Sequence, residues 1–372
     1  LTRQIRKEKE VSMAGARDIR WSPPILIGLI LVTLVFLVGG FSLLQHMQEY
    51  KVLMTLSAVV WGLGSTALLF FVMNAVAESM PRKIRSVAVA LVFAGPAMII
   101  LFWALVLPTL RSLRLSFMDA NGQEFVFLDN YVFAFTDPIM LESFRNNLLW
   151  MVFGTSACVI LGLLIAVLAD KSRFEKLFKS LIFMPMAISF VGAGVIWKFI
   201  YAYKGEGINV TEIGLLNAIV VALGGEAQAW LLVPFWNNFF LIVIMVWLQT
   251  GYAMVIISSA IKAIPESLNE AARVDGAGSI RIFFSITIPY ILPTIVTVTT
   301  TILIFSLKLF DIVRVMTGGN FGTNVIANEF YLRQFTYGHS GQASAIAVVL
   351  LVVIIPVLAY NLHQFQERKV LK

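Results

Sequence analysis

The sequence predicts an all-α membrane protein with eight transmembrane helices, and three observations lead there. Hydrophobic residues make up 59% of the 372 residues and charged residues only 13%, against about 25% charged in an average soluble domain. The mean hydropathy is +0.86. So little charge cannot cover a globular surface with polar groups, and the bilayer is the solvent that accepts the apolar remainder. The third observation is that apolar runs of about 20 residues, the length that crosses a hydrocarbon core of about 30 Å, recur along the chain. The other counts narrow the function. A single cysteine, Cys158, excludes an internal disulfide framework and any multi-cysteine metal site. His46, His339 and His363 are too dispersed to suggest a zinc centre, so no metal ligands are assigned. The net charge of +7 is read as contact with anionic lipid headgroups and as a topology signal, with no nucleic-acid partner implied.

In chain order the runs lie at 25–44, 53–76, 87–107, 147–169, 181–201, 238–260, 288–310 and 342–362. The first is too long for the apolar segment of a cleaved signal and has no small-residue cleavage site after it, so it reads as a retained span. Pro96 in the third and Pro356 in the eighth are compatible with spanning, because neighbouring helices can satisfy the backbone groups they free. With the N-terminus inside, nineteen of the 28 Lys and Arg fall on the cytoplasmic side and eight outside. Six of the nineteen precede Trp21: Arg3, Arg6, Lys7, Lys9, Arg17 and Arg20. That asymmetry places both termini in the cytoplasm.

The resulting organisation is a cytoplasmic segment 1–24, three spans in 25–110, an extracytoplasmic insert 111–146, a five-helix core 147–362 and a cytoplasmic tail 363–372. The insert is polar and aromatic and reads as a small folded cap. The outer segment 202–237 carries Gly205, Gly207, Gly224 and Gly225 around a short apolar stretch, 213–223, that is too short to cross. Asn209-Val210-Thr211 matches a glycosylation pattern, to which a bacterial-type protein would give no meaning.

Segment 261–287 is the one long inner loop and the most informative stretch. Pro265 suits a first helical turn, where its missing N–H would have no partner, and Glu266 then complements the helix dipole. Ala271 and Ala272 keep one side slim, so another surface can come close. Gly276 and Gly278 permit a left-handed stop, and Ser279 is a reasonable N-cap for a second short helix over 280–286. Physics alone gives a helix, a bend and a helix on the inner membrane face. An ordinary amphipathic connector fits that description as well as a docking surface does.

Glu270-Ala271-Ala272, Gly276, Ile286, Ile288 and Pro289 resemble the E-A-A-x3-G-x9-I-x-L-P loop of binding-protein-dependent ABC transporter permeases. Every spacing fits, and Ile288 stands where Leu is usual. Asn146-Asn147 ahead of the fourth span resembles the N-[TN] pair of that family. Phe310-Asp311, Met316-Thr317-Gly318-Gly319 and Gly341-Gln342-Ala343-Ser344-Ala345 are similar to its sugar-importer branch. The chain is similar to the maltose-type large permease subunit, and its Thr-Gly-Gly-Asn-Phe-Gly-Thr stretch resembles α-glucoside permeases.

The resemblance implies a type I ABC importer permease bundle in a bacterial inner membrane, carrying a di- or oligosaccharide or a glycoside. Its implied partners are a second permease subunit, two ATP-binding subunits and an extracytoplasmic sugar-binding protein. The loop would be the coupling helix. In it Glu270 would pair with a basic group of an ATP-binding subunit, Ala271, Ala272 and Asp275 would lie in the docking segment, and Gly276 would supply the bend. The chain contains no G-x4-G-K-[ST] phosphate loop, so ATP and Mg would sit on partner subunits, with no cofactor and no catalytic residue on this chain.

A substrate pathway is read from residue chemistry. Sugars take aromatic faces, amides and hydroxyls, and Trp247, Gln249, Thr250 and Tyr252 in the sixth span supply all three. At about 100° per residue they cannot share one face, and Trp247 and Tyr252 also suit packing between helices. Thr297, Thr299, Thr300 and Thr301 suit bonding to their own backbone better than binding sugar. Lys308 and Asp311 could pair at i, i+3 on an interfacial helix surface. An ion-coupled secondary transporter of a small polar solute is the alternative. It would need buried acids or histidines, and the spans are almost free of them. An intramembrane enzyme would need a nucleophile–base pair, and no histidine lies near Cys158.

Overall fold

The computed structural model describes residues 21–47, 49–170, 172–203 and 214–370, with backbone alone at 82 and 361–370. The six basic residues before Trp21, Lys171, Lys204, Gly205, Gly207, the Asn209–Thr211 pattern and Lys372 lie outside the described residues.

Apolar periodicity gives way to helix almost everywhere. The long helices are α1 (Pro23–His46), α2 (Lys51–Ser79), α3 (Lys83–Leu115) and α5 (Pro138–Asp170). They continue with α9 (Trp236–Lys262), α11 (Ser279–Leu307) and α14, which is apolar over Ser340–Tyr360 and runs on to Val370. All seven are long and apolar enough to cross a membrane. Shorter helices lie between them: α4 (Asp129–Thr136), α6 (Glu175–Phe183), α7 (Phe190–Ile200) and α8 (Leu215–Ala222). The remaining three are α10 (Glu266–Val274), α12 (Asp311–Met316) and α13 (Ile326–Tyr331).

The fifth expected span, 181–201, is not one rod. It is a broken pair, Glu175–Ala187 and Phe190–Ile200, bent by 102°. The cause is local. Residues Met184–Ala187 tighten into a 3-10 turn around Pro185, Ile188 is extended, and Ser189 starts α7 by accepting the Gly192 N–H at 3.1 Å. The pair still crosses. Glu175 at one end bonds Lys262, the last residue of α9, and Tyr201 at the other donates its hydroxyl to Phe240 C=O, near the start of α9, at 2.9 Å. The eight expected crossings are therefore seven continuous helices and one broken one.

The chain falls into two units, Leu1–Thr109 and Leu110–Lys372. In the first, α1 packs on α2 and α2 on α3, and most large apolar side chains face outward, as lipid contact requires. In the second, a core of α5, α7, α9 and α11 buries Trp150, Leu241, Met245, Leu248, Ile257 and Ile302 completely or nearly so. A smaller core joins α4, α5, α13 and α14 through Ala134, Met140, Ile326 and Ile346.

The 111–146 segment is only partly a separate cap. Residues 138–146 belong to α5, which Asp137 caps by accepting the Ile139 and Met140 N–H groups at 3.0 and 3.3 Å. The cap proper is a short turn, 116–128, with Met118 bridged to Phe125. There Asp119 accepts the Gln123 and Glu124 N–H groups at 2.7 and 3.1 Å, and these bonds hold its carboxyl below the usual carboxylate range. Within the apolar stretch 213–223, Leu215–Ala222 forms α8, pinned by Asn217 to Gln228 and Trp230.

Gly251 is the point where the bend in α6–α7 meets α9. A Cβ there would lie 2.5 Å from Ile182 O and 2.7 Å from Phe183 Cα, both backbone atoms that cannot swing aside. Gly251→Leu should therefore lower the thermal midpoint of the detergent-solubilised protein, at a cost of at least about 1–3 kcal/mol. Gly278→Ala, placed in open space, should leave it unchanged. Equal midpoints would show that the crossing is looser than the structure has it.

Candidate functional site

The segment after α9 folds as the sequence leads one to expect up to Gly276, and differently beyond it. Pro265 is the N-cap of α10, Glu266 lies in its first turn and Arg273 in its last, so both charges complement the helix dipole. The end is a Schellman cap: Ala277 N–H reaches Ala272 C=O at 2.9 Å and Gly276 N–H reaches Arg273 C=O at 3.0 Å. Gly276 has φ +78°, a backbone that a residue with a Cβ adopts only under strain. No separate second helix follows. Gly278, not Ser279, is the N-cap, and Ser279 begins α11 itself. The helix passes Pro289 by loosening into a π-type turn over Phe283–Thr287, which absorbs the hydrogen bond proline cannot make.

Glu270, Ala271, Asp275 and Gly276 are exposed, while Ala272 is half-buried. Apolar side chains accompany them on the same segment: Val274 is 87% exposed and Ile280 77%. That is a surface of mixed charge and apolar groups, the composition of a docking face.

Behind α10 lies a cavity of about 420 Å³ bordered by Val167 and Asp170 of α5, Ile261 of α9, Asn269 and Arg273 of α10, and the first turns of α11. Beside it sits a cluster of charges that sequence reasoning missed. Lys179 of α6 donates to Asp170, to Ser258 of α9 and, at 2.6 Å, to Glu175. Ser258 Oγ donates to Asp170 Oδ1 at 2.8 Å, and Lys262 completes the set on Glu175. In the sequence Lys179 and Lys262 counted only toward topology. Glu175 and Lys179 at i, i+4 were the available signal.

At the other end of the bundle, polar residues build a loop. Asn146 donates to the carbonyls of Gly322 and Asn324 at 2.9 and 2.8 Å, and Asn147 accepts the Ile326 N–H at 2.9 Å. Asn237 and Asn238 at the start of α9 donate to Phe321 and Gly322. Glu329 is buried and takes Asn324 Nδ2 at 2.8 Å and Arg333 Nε at 2.7 Å, and Arg333 passes on to Gln342 at 3.1 Å. So Asn146-Asn147, Thr317-Gly318-Gly319 and Gln342 are brought together, though 22 or more residues separate these motifs, and together they shape the 317–325 loop. Lys308 and Asp311 form no ion pair with each other. α11 ends at Leu307 and Phe310 is off-helix at φ −132°, so the two do not share a helix surface.

In α9 the four pathway residues split between two faces. Trp247 and Thr250 border a cavity of about 400 Å³ at the α6–α7 break, with Leu161, Ile182, Pro185 and Trp197. Its walls are apolar, Trp247 packs edge-on to Trp197 at 5.8 Å, and Thr250 Oγ1 is taken by Val246 C=O at 2.6 Å. Gln249, which is buried, and Tyr252, which is half-buried, lie three residues apart on the other side of the helix and do not border that cavity. Thr297, Thr299, Thr300 and Thr301 each bond a carbonyl of their own helix, as expected. Among the described residues no group of three or more His, Cys, Asp or Glu could hold a metal ion.

Comparison with known proteins places this geometry. The sequence profile of the family described as "binding-protein-dependent transport system inner membrane component" matches residues 158–372. The osmoprotective compounds uptake permease protein GgtC of Synechocystis is 54% identical over 280 residues, 75% of this chain and 100% of the relative. The alpha-glucoside transport system permease protein AglF of Rhizobium meliloti is 49% identical over 272 residues, 73% of this chain and 80% of the relative. Among solved structures, a chain of a bacterial ABC transporter that imports the acidic polysaccharide alginate superposes with TM-score 0.63 at 20% identity. That superposition covers 77% of this chain and 98% of the other, which speaks for a shared fold.

Proposed function

Because this chain belongs to the inner-membrane permeases of binding-protein-dependent ABC transport systems, we propose that it is the carbohydrate-translocating subunit of an importer. The observation that carries this reading is α10 with its Schellman cap, which presents Glu270, Val274 and Asp275 outward between two spanning helices. In this reading α10 is the coupling helix on the cytoplasmic side, and both termini are cytoplasmic. Two ATP-binding subunits hold ATP and Mg. A second permease subunit completes the pathway, and an extracytoplasmic binding protein delivers the substrate. Segments 1–24 and 363–372 then lie in the cytoplasm, the 111–146 insert outside, and 147–362 forms the transport core. A secondary transporter is not supported, since its coupling would not call for such a surface.

The α-glucosides for which one relative is named support a sugar or glycoside as cargo, and the osmoprotective compounds of the other are compatible with it. Of the four pathway residues, Gln249 and Tyr252 are the pair whose chemistry suits it, an amide for hydroxyl groups and an aromatic face for ring C–H surfaces. Trp247 and Thr250 would serve as wall.

The test is uptake by the complete complex in proteoliposomes. Gln249→Ala or Tyr252→Ala should lower uptake about tenfold, the loss of one or two hydrogen bonds or a stacking contact, with subunit assembly unchanged. Thr250→Val should leave uptake normal, because its hydroxyl serves its own helix. Normal uptake in both alanine variants would move the pathway elsewhere.

A further inference from the structure

The Asp170 carboxylate is half used. Its Oδ1 takes Lys179 and Ser258, which ties the ends of α5, α6 and α9 together. Its Oδ2 is buried and has no hydrogen-bond partner. Asn269 Oδ1 on α10 is buried and unpartnered as well. Both residues border the cavity of about 420 Å³ behind α10, and so does Arg273. Asn269 and Arg273 stand at i, i+4 on α10 and both line the cavity, Asn269 half-buried and Arg273 exposed at its mouth, while Glu270 and Val274 do not line it. Among the described residues the Arg273 side chain makes no hydrogen bond or ion pair. One cavity thus holds two acceptors that lack a donor and one five-donor fork that lacks an acceptor. Most of the remaining wall is apolar side chain, including Val167, Ile261, Ile280 and Phe284; the hydroxyls of Ser279 and Thr287 complete it, and neither is hydrogen-bonded to Asp170 Oδ2 or Asn269 Oδ1.

We propose that Arg273 and Asp170 are positioning residues for transport: when α10 is pressed toward the bundle, the Arg273 guanidinium closes on Asp170 Oδ2 and Asn269 Oδ1. The cavity is the space that the closing consumes. In the structure the ion cluster is complete on the bundle side and Asp170 Oδ2 is unfilled on the side of α10. In the closed state the carboxylate carries Arg273 on one oxygen and Lys179 with Ser258 on the other. A displacement of α10 is then delivered to α5, α6 and α9 together, and α6 leads directly to the break before α7. This inference rests on the reading of α10 as the helix that meets an ATP-binding subunit.

The complete complex, with its ATP-binding subunits, second permease and binding protein, provides the test. In Arg273→Gln, uptake per ATP hydrolysed should fall about tenfold, within the range of measured couplings between sites, with assembly and stimulated hydrolysis retained. Arg273→Lys should recover part of the ratio. Asp170→Asn should show the same fall, and the double variant should be no worse than the poorer single one, since both remove one interaction. A merely structural role would instead lower assembly and hydrolysis together and give additive losses. Because Asp170 also holds Lys179, its variant could fail to assemble. A cysteine pair, Val167→Cys with Ile280→Cys across the cavity, then decides: the two should cross-link faster with a bound non-hydrolysable ATP analogue than without nucleotide. The chain's own Cys158 is buried and would not compete.

A normal ratio in Arg273→Gln, or cross-linking indifferent to nucleotide, overturns the proposal while leaving the importer reading intact. Failure of the unaltered chain to recruit any ATP-binding subunit overturns that reading, and this proposal falls with it.

Discussion

Glu270→Lys is expected to abolish uptake by removing the ATP-binding subunit from the complex. Glu270 is exposed on α10, and among the described residues its side chain forms no hydrogen bond or ion pair that the fold would lose. If it meets a cation across a docking surface, truncating such a pair costs about 2–5 kcal/mol, and reversing the charge adds repulsion. That corresponds to a loss of docking affinity of about thirtyfold or more. Gly276→Val should act in the same direction by another route. At φ +78° a β-branched residue is strained by about 1–2 kcal/mol or more, and relief would open the Schellman cap and swing the end of α10. The readout is the ratio of ATP-binding subunit to permease after co-purification, followed by uptake. Both variants should still insert, with unchanged helix content. Stoichiometric recovery and normal uptake in both would remove α10 from the coupling role.

The contrast between Glu270 and the ion cluster explains what was legible in the sequence. The spans could be read because lipid imposes one requirement on every residue of a helix, and a running count of apolar residues detects it. The break at Met184–Ser189 escaped that count. Hydropathy registers side chains, whereas the break is a backbone event made by Pro185, an extended Ile188 and a serine cap. The stop at Gly276 was legible because a left-handed residue after a helix has a strong glycine preference. The start at Ser279 was misread because Gly278 supplies the cap geometry with backbone alone.

Long-range polar contacts were not legible at all. Asn146 and Asn324 are 178 positions apart, and Ser258 is 88 from Asp170. Nothing local in either stretch names its partner. The helical wheel did separate the pathway residues in principle, since 100° per residue sets Trp247 and Thr250 opposite Gln249 and Tyr252. Which face is apolar needed the neighbours, Pro185 and Trp197 among them.

Lys179→Met is expected to be strongly destabilising. Lys179 is the hub of its cluster: its side chain is 17% exposed and those of Asp170 and Glu175 are 13% and 25% exposed. Methionine fills the same volume but leaves two carboxylates close together without the cation between them. Removing one partner from a buried ion pair costs about 3–5 kcal/mol, and the partial exposure here argues for the lower end, about 3 kcal/mol. At about 2–4 °C per kcal/mol for a large chain, the thermal midpoint in detergent should fall by about 6–12 °C. Lys262→Met provides the internal control. It removes a cation from the same Glu175, yet the Lys262 side chain is 53% exposed, so water replaces the lost bond and less than about 1 kcal/mol should follow. Neutralising the acids as well, with Asp170→Asn and Glu175→Gln added to Lys179→Met, should recover most of the loss, because what destabilises is the unpaired charge and not the absence of the pair. If Lys179→Met and Lys262→Met cost the same, the cluster is solvated throughout, and it could not act as the rigid tie among α5, α6 and α9 that receives the movement of α10.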